Sequence, residues 1–134
     1  MQFTIHKTEE WQKIADEIFP HLTHKILLLK GNLGAGKTTF TQFLLKKFES
    51  SDEVSSPTYA IVNEYHSTKG KISHFDLYRM KSTAEVYDIG IDEYLDHSFF
   101  CIIEWPEIFE EELPEEFHEM TIENKDGIRK IHFR

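Results

Sequence analysis

The chain has only one cysteine, so it cannot form an internal disulfide and differs from the small secreted domains that depend on such cross-links. Cys101 lies in the apolar run 99–103, which is typical of a buried thiol in a reducing compartment. Long apolar runs are also missing, whereas a membrane helix needs roughly 20 consecutive apolar residues. Polar residues near the N-terminus indicate that no signal peptide is present. These absences predict a cytoplasmic location and no membrane contact.

A surplus of positive charge is missing as well. The chain has 15 basic and 24 acidic residues, and its formal net charge is −9. Proteins that grip phosphate backbones over a broad face carry the opposite sign. Extensive direct binding of nucleic acid is therefore disfavoured, although a small local site remains compatible with this charge.

The composition is sufficient for a hydrophobic core. The chain has 134 residues, of which 40% are apolar and 13% aromatic. No repeat, low-complexity tract or linker divides it. We therefore predict a single domain over residues 1–134.

The clearest secondary-structure signals lie in the first third of the chain. Apolar residues at helical spacing predict a helix that starts at Thr8 as its N-cap and ends before Pro20. The short apolar run 25–30 predicts a strand buried on both faces. After a glycine-rich segment, residues 40–48 repeat their apolar side chains on one face of a second helix. The predicted order is strand, glycine loop, helix.

Further patterns complete a mixed α/β prediction. Together they favour a mixed, mainly parallel sheet that is flanked by helices and has a C-terminal β-hairpin, as in P-loop NTPases. The predicted elements are strands at 58–62 and 71–75 around a turn at 66–70, a short helix opened by a Ser82–Glu85 capping box, a strand at 99–103, and a hairpin of 117–123 and 128–133 about Asp126-Gly127.

Residues 31–38, with the sequence GNLGAGKT, match the phosphate-binding loop pattern of a glycine, four residues and Gly-Lys-Thr. The glycines allow positive φ, and successive N–H groups at a helix N-terminus attract phosphates. Lys37 is expected along the β- and γ-phosphates, with the Thr38 hydroxyl on Mg²⁺. The alternative is a glycine-rich turn without a ligand. The predicted ATP- or ADP-binding residues in this segment are Gly31, Leu33, Gly34, Ala35, Gly36, Lys37, Thr38 and Thr39.

A triphosphate site also needs a carboxylate near the cation, usually at the end of a neighbouring strand. Asp76 follows the strand at 71–75, and Glu104 follows the more apolar strand at 99–103. The apolar run favours Glu104, with Thr38, as the metal ligand. Ordinary strand-end acids or a turn aspartate would give the same pattern. We predict Lys37, Asp76 and Glu104 as the catalytic residues, and which acid orients water stays open.

Residues 55–59 follow the second predicted helix, where many nucleotide hydrolases place a loop that senses the γ-phosphate. Thr58 is a candidate for touching the metal or orienting water. A proline-fixed start of a strand explains the segment equally well.

Four segments together resemble the TsaE family, formerly called YjeE. These are residues 31–38, Ser-Pro-Thr-Tyr at 56–59, His-Phe-Asp-Leu-Tyr-Arg at 74–79, and Ile-Glu-Trp-Pro at 103–106. The phosphate-binding loop alone is generic, whereas the Tyr-Arg and Glu-Trp pairs in this order are specific. The resemblance spans residues 31–106.

The resemblance implies a P-loop α/β protein that binds ATP or ADP with Mg²⁺ and hydrolyses ATP slowly. It also implies a supporting role beside a TsaB–TsaD pair, in which TsaD transfers the threonylcarbamoyl group to adenosine 37 of tRNA, so that tRNA is contacted only indirectly. Thr38 and Glu104 match the family's magnesium-associated positions, and Asp76 matches its second acidic position. By analogy, Thr8 and Arg129 are candidate contacts to the base or ribose.

Three other functions share parts of this pattern. A small-molecule P-loop kinase needs an acceptor pocket and usually an arginine-rich lid, whereas the chain has only three arginines. A GTPase commonly reads guanine with Asn-Lys-x-Asp, and residues 124–127 are a near miss in a predicted turn. A nucleotide-binding adaptor without turnover has the same spacing. The slow ATPase subunit is the leading hypothesis.

Overall fold

The computed structural model describes residues 1–32, 34–58 and 60–134. Within these residues the chain forms one seven-stranded sheet and four α-helices, and no helix there has the length and apolar character needed to cross a membrane. The strands are β1 Gln2–Ile5, β2 Ile26–Lys30, β3 Val62–Ser67, β4 Gly70–Asp76, β5 Phe100–Glu104, β6 His118–Lys125 and β7 Ile128–Phe133. The helices are α1 Trp11–Ile18, α2 Lys37–Lys47, α3 Thr83–Asp88 and α4 Ile91–His97.

The sheet order is β1-β7-β6-β2-β5-β4-β3. Its four central strands, β6, β2, β5 and β4, run parallel, and the outer pairings are antiparallel. This confirms the predicted α/β class, the mixed sheet and the C-terminal hairpin. Parallel strands bring their carboxyl ends to one edge of the sheet, where α/β proteins bind ligands. The segments that follow β2, β4 and β5 therefore share that edge.

The core lies on both faces of the sheet. Leu27 and Leu29 of β2 pack with α1 and α2, whereas Ile26 and Leu28 pack with α3 and α4. All four side chains are at most 2% exposed, and burying each contributes about 1.5–3 kcal/mol. Coverage of both faces explains why β2 is a continuous apolar run rather than an alternating one.

The position of the first helix is confirmed, but the prediction of its N-cap is wrong. Its apolar face is buried through Trp11 and Ile18, as the spacing predicts. Thr8, the predicted N-cap, instead begins a 3-10 turn at Thr8–Glu10 whose N-cap is Lys7. The carboxylate of Glu10 accepts the backbone N–H of Lys7 at 3.0 Å, so the bond that closes this turn uses a glutamate side chain rather than the Thr8 hydroxyl.

The strand predicted at 58–62 is wrong except for its last residue. β3 begins at Val62 because Ile61 has a φ of +70°, a left-handed conformation that is unusual for a β-branched residue and ends extended pairing. The Ile61 carbonyl accepts the backbone N–H of Asp76 at 2.9 Å. Tyr59, which belongs to the predicted strand, lies outside the described residues.

The later elements agree more closely with the patterns. Ser82 caps α3 by accepting the backbone N–H of Glu85 at 3.2 Å. Asp126 and Gly127 form the hairpin turn with φ of +54° and +85°, as the two-residue turn requires. β1 and α4 are additional elements that the sequence patterns did not indicate. β1 pairs with β7, at the other end of the chain.

Candidate functional site

The glycine-rich loop joins β2 to α2 at the carboxyl edge of the sheet. Gly36 has a φ of +118°, and a Cβ there would lie 2.7 Å from a ring carbon of Trp11. A Cβ on Gly31 would lie 2.7 Å from the carbonyl oxygen of Ile122. Both positions therefore need glycine, one for conformation and contact, the other for contact alone. Leu33, a predicted binding residue, lies outside the described residues.

Lys37 is the first residue of α2, and its side chain is only 5% exposed. Its Nζ donates to the carbonyl oxygen of Gly31 at 2.5 Å and lies 4.3 Å from the centre of the Trp105 ring. Glu104 Oε1 lies 3.9 Å from the same Nζ. Burial lowers the pKa of Lys37, while the negative charges of Glu104 and Asp76 oppose the shift. The ammonium is thus held at the loop by a carbonyl, a ring and a carboxylate.

The two predicted acids end neighbouring strands. Asp76 closes β4 and Glu104 closes β5, and the parallel register pairs them directly. They are 4% and 3% exposed. Two carboxylates this deeply buried beside each other require nearby donors or a cation. The strand register, which the sequence alone does not reveal, brings them to one place.

Asp76 has donors on both of its oxygens. Its Oδ1 accepts the backbone N–H of Tyr78 at 2.9 Å, and its Oδ2 accepts the Thr58 hydroxyl at 3.0 Å. Thr58 Oγ1 in turn lies 2.7 Å from Ser56 Oγ. The loop that was predicted to sense phosphate is therefore bonded to one of the two acids through hydroxyl groups.

Glu104 has a different set of neighbours. His74 Nε2 lies 2.5 Å from Glu104 Oε2, and the hydroxyl of Tyr65 lies 3.3 Å from His74 Nδ1. No sequence pattern assigned a role to His74 or Tyr65. A signal for His74 did exist in its position two residues before Asp76 on one strand, which places both on the same face.

The glycine-rich loop, Lys37, Thr58 and the two acids surround an open cavity of about 260 Å³. Its lining consists of Gly34, Gly36, Lys37, Thr38, Thr39, Ser56, Thr58, Asp76, Glu104 and Arg129. A larger depression of about 470 Å³ crosses β1, β7 and β6, and the described residues lining it include none of the predicted site residues. The smaller cavity combines loop amides, a helix N-terminus, hydroxyls and both signs of charge, which is the chemistry of an anion site with a cation beside it.

The other predicted binding residues, which include Arg129 and Thr8, differ in their position relative to this cavity. Ala35 and Gly31 contribute backbone contacts, since Arg129 Nε donates to the Ala35 carbonyl at 2.7 Å and Lys37 reaches Gly31. Arg129 also lines the cavity from β7. Thr8 is exposed in its 3-10 turn and is not among the described residues that line the cavity.

Comparison with known proteins gives one consistent family. Residues 5–131 match the family model described as threonylcarbamoyl adenosine biosynthesis protein TsaE. The chain is 39% identical over 109 residues to the tRNA threonylcarbamoyladenosine biosynthesis protein TsaE of Bacillus subtilis strain 168, covering 81% of this chain and 68% of that protein. It is 38% identical over 122 residues to the protein of that name from Haemophilus influenzae, covering 90% and 77%.

The fold has a solved counterpart. The crystal structure of YdiB from Bacillus subtilis superimposes with a TM-score of 0.75 at 30% sequence identity, covering 99% of this chain and 83% of that one. The similarity therefore includes both ends of the sheet as well as the glycine-rich loop.

Proposed function

The chain belongs to the TsaE family of tRNA threonylcarbamoyladenosine biosynthesis proteins, and from that premise we propose that it is the pathway's slow, magnesium-dependent ATPase subunit. The observation that carries the proposal is the convergence of Lys37, Asp76 and Glu104 on one cavity beside the glycine-rich loop. A lysine, a helix N-terminus and two strand-end acids at one sheet edge form the arrangement that phosphoryl transfer from a nucleotide requires.

The phosphate half of the site consists of the loop and the start of α2. Backbone N–H groups around Gly34 and Gly36 supply donors, and the helix N-terminus supplies partial positive charge. Lys37 donates to the Gly31 carbonyl, and its three ammonium protons allow it to bond to phosphate oxygens as well. Arg129 supplies a second positive charge at the cavity.

The metal half of the site fits Mg²⁺. The Thr38 hydroxyl and the Glu104 carboxylate are hard oxygen donors lining the same cavity. Among the described residues, no group of three or more His, Cys, Asp or Glu side chains forms a metal cage. Mg²⁺ at a phosphate site commonly uses one or two carboxylates and takes its other ligands from phosphate and water. When bound, Mg²⁺ would neutralise negative charge on the β- and γ-phosphates.

The different contacts of Asp76 and Glu104 support a different role for each acid. Asp76 has a donor on each oxygen, and one of these donors is Thr58. Glu104 Oε1 lies 3.9 Å from Lys37 Nζ, which is longer than a hydrogen bond, so this oxygen is more available to a cation than either oxygen of Asp76. We assign Glu104 to the metal, and Asp76 with Thr58 to holding the attacking water.

In this proposal the nucleotide cycle acts on partner proteins. The partner is a TsaB–TsaD-type pair, and the transfer of the threonylcarbamoyl group to adenosine 37 of tRNA takes place on that pair. The net charge of −9 supports indirect contact with tRNA. A role in tRNA modification fits a cytoplasmic protein.

The test is calorimetric titration of the protein with ADP and ATP, with and without Mg²⁺. We expect Lys37→Ala to weaken nucleotide binding and to lower turnover by about 100-fold or more, because a phosphate-facing charge is lost from a buried site. Lys46→Ala is the matched control, since Lys46 is exposed on the same helix and its Nζ lies over Phe43, away from the cavity.

Unchanged nucleotide affinity in Lys37→Ala would contradict the proposal. Two competing functions are tested with the same protein. Competition between ATP and GTP distinguishes the GTPase, and transfer of labelled phosphate to a panel of small acceptors distinguishes the kinase.

A further inference from the structure

A chain of buried hydrogen bonds lies behind Glu104. Its Oε2 is bonded to His74 Nε2 at 2.5 Å, and His74 Nδ1 lies 3.3 Å from the Tyr65 hydroxyl. That hydroxyl also reaches the backbone carbonyl of Ser55 at 3.1 Å. The side chains of Glu104, His74 and Tyr65 are 3%, 0% and 4% exposed. These bonds connect a cavity acid to the loop at 55–61 through the interior.

The sheet places these side chains in a row across three neighbouring strands. Tyr65 is on β3, His74 on β4 and Glu104 on β5. His74 and Asp76 share a face of β4 because they are two residues apart. The row therefore ends at Glu104, one of the two acids, and His74 lies on the same face of β4 as the other, Asp76.

The hydrogen-bonding groups constrain one another. A carboxylate only accepts, so the bond to Glu104 requires the proton on His74 Nε2. In the neutral ring, Nδ1 is then an acceptor that faces the Tyr65 hydroxyl at 3.3 Å. Tyr65 has one proton and two acceptors within reach, His74 Nδ1 and the Ser55 carbonyl.

The consequence for Glu104 is orientation. His74 engages Oε2, which leaves Oε1 directed toward Lys37 at 3.9 Å. The other acid is tied to the same loop through Thr58, whose hydroxyl donates to Asp76. Asp76 is thus hydrogen-bonded to this loop directly, and Glu104 is linked to it through His74 and Tyr65, whose single proton is shared between His74 Nδ1 and the Ser55 carbonyl.

We propose that His74 and Tyr65 are positioning residues that hold the Glu104 carboxylate in its metal-facing orientation and couple it to the loop at 55–61. The inference rests on the proposed function, because it takes Glu104 as a ligand of the divalent cation. Groups that orient a metal ligand from behind typically change metal affinity by about 10–100-fold when they are removed.

The experiment measures Mn²⁺ binding to the protein–ADP complex by electron paramagnetic resonance. We expect His74→Leu to weaken Mn²⁺ binding about tenfold or more, and His74→Gln to recover part of the loss because its amide N–H can still donate to Glu104. Tyr65→Phe should give a smaller loss. ADP affinity measured in EDTA should stay within about twofold of wild type in each variant, because the substituted side chains, His74 and Tyr65, are bonded to Glu104, to each other and to Ser55 rather than to the phosphate loop.

Ser73→Ala is the matched control. Ser73 is buried on the same strand as His74 and loses one hydrogen bond, to Ser98 at 2.6 Å, without any link to Glu104. It should bind Mn²⁺ as wild type does. A second control is His74→Leu in a Glu104→Ala background, where it should cost nothing further in Mn²⁺ affinity because the group it positions is gone.

The outcomes separate the two proposals. Wild-type protein that binds neither ADP nor Mn²⁺–ADP overturns the proposed function. Wild-type protein that binds both, with His74→Leu equal to it in Mn²⁺ affinity, overturns the positioning role alone. The positioning role is also overturned if His74→Leu lowers Mn²⁺ affinity as much in the Glu104→Ala background as in the wild type. If His74→Leu does not fold, Tyr65→Phe decides, and Mn²⁺ affinity equal to that of Ser73→Ala overturns the positioning role.

Discussion

At the scale of single residues, the site depends on side chains whose surroundings are as specific as their identity. Lys37 is a buried cation with a carbonyl, an indole ring and a carboxylate around it. Burying an ammonium without partners costs free energy, so these contacts stabilise the charge of Lys37 beside the loop. Burial nevertheless lowers the pKa of Lys37, and the acids across the cavity limit that shift.

Glycine is a residue-scale requirement that can be tested directly. We predict that Gly36→Ala destabilises the protein by more than the strain of a positive φ, about 1–3 kcal/mol, because the new Cβ also overlaps the Trp11 ring. Nucleotide affinity should fall as well. Urea denaturation and ADP titration measure the two effects.

Gly90→Ala is the control for that substitution. Gly90 has a φ of +84°, and a Cβ there would have no neighbour within 4 Å among the described residues, so only backbone strain applies. It should keep wild-type ADP affinity. Equal losses of stability and affinity in the two variants would contradict the steric argument at Gly36.

At the scale of elements, the strand ends create the site and a histidine at the opposite edge secures the sheet. His118 at the start of β6 accepts the backbone N–H groups of Thr23 and His24 on Nε2, at 3.0 and 3.1 Å. Its Nδ1 faces the carbonyl of Arg134 at 3.3 Å. One ring thereby joins the segment before β2 to β6 and to the chain end after β7, and it can do so only when Nε2 carries no proton.

This arrangement predicts a pH-dependent stability. Burial lowers the pKa of His118 below its ordinary value of 6.5, and the nearby His24 adds to the shift. A group with a lowered basic pKa takes up protons more readily in the unfolded chain, so its contribution to stability is complete above pH 6.5 and is lost as the pH falls below it. Urea denaturation at about pH 7.5 and about pH 5.5 should show this decrease.

The variants identify the histidine responsible. His118→Gln should show a smaller decrease between the two pH values, because the titrating ring is gone. His21→Gln, at an exposed position, should keep the wild-type pH dependence. A full decrease in His118→Gln would assign the effect to other groups.

At the scale of the whole molecule, the charge of the chain supports the proposal that tRNA is contacted by partner proteins. The sheet presents one small charged cavity at its carboxyl edge, while the chain as a whole is strongly acidic. Attraction to a nucleic-acid backbone grows with the number of phosphates that basic groups neutralise. A chain with a net charge of −9 is poorly suited to hold tRNA alone, which agrees with the indirect role that we propose.

We predict that the isolated protein gives no mobility shift with tRNA at about 150 mM salt and micromolar protein. A shift should appear only when a TsaB–TsaD-type pair is present. The same assay at low salt controls for weak electrostatic contact. Micromolar binding of tRNA by the isolated chain would contradict the indirect role.

The site could be predicted to the extent that its residues follow one another in the chain. The glycine-rich loop, Lys37 and Thr38 are a local pattern, because they all lie at one strand-to-helix junction. Asp76 and Glu104 could be proposed as strand-end acids, but their pairing depends on the β4–β5 register. Tyr65 gave no signal, and His74 gave only its position on the same face as Asp76, because the contacts of His74 to Glu104 and of Tyr65 to His74 form across strands.

The fold shows the same division. β2, α1, α2, β5 and the terminal hairpin follow from apolar periodicity and turn residues, which are local properties. β1 did not, since a four-residue strand is stabilised by pairing with β7 at the far end of the chain. The start of β3 was misplaced because the left-handed Ile61 is held by its bond to Asp76, a contact no local pattern encodes.

By itself, the amino-acid sequence determined the class of fold, the loop that receives phosphate in our proposal, and the family. Spacing along the chain suffices for these, because the fold class follows from the order of locally encoded elements, the loop from consecutive residues, and the family from motifs in a fixed order. Only the tertiary structure decided which acids meet, what orients each of them, and that Arg129 reaches the loop while Thr8 lies outside the cavity lining. Those contacts join residues far apart in the chain, and the packing of strands against one another sets their geometry.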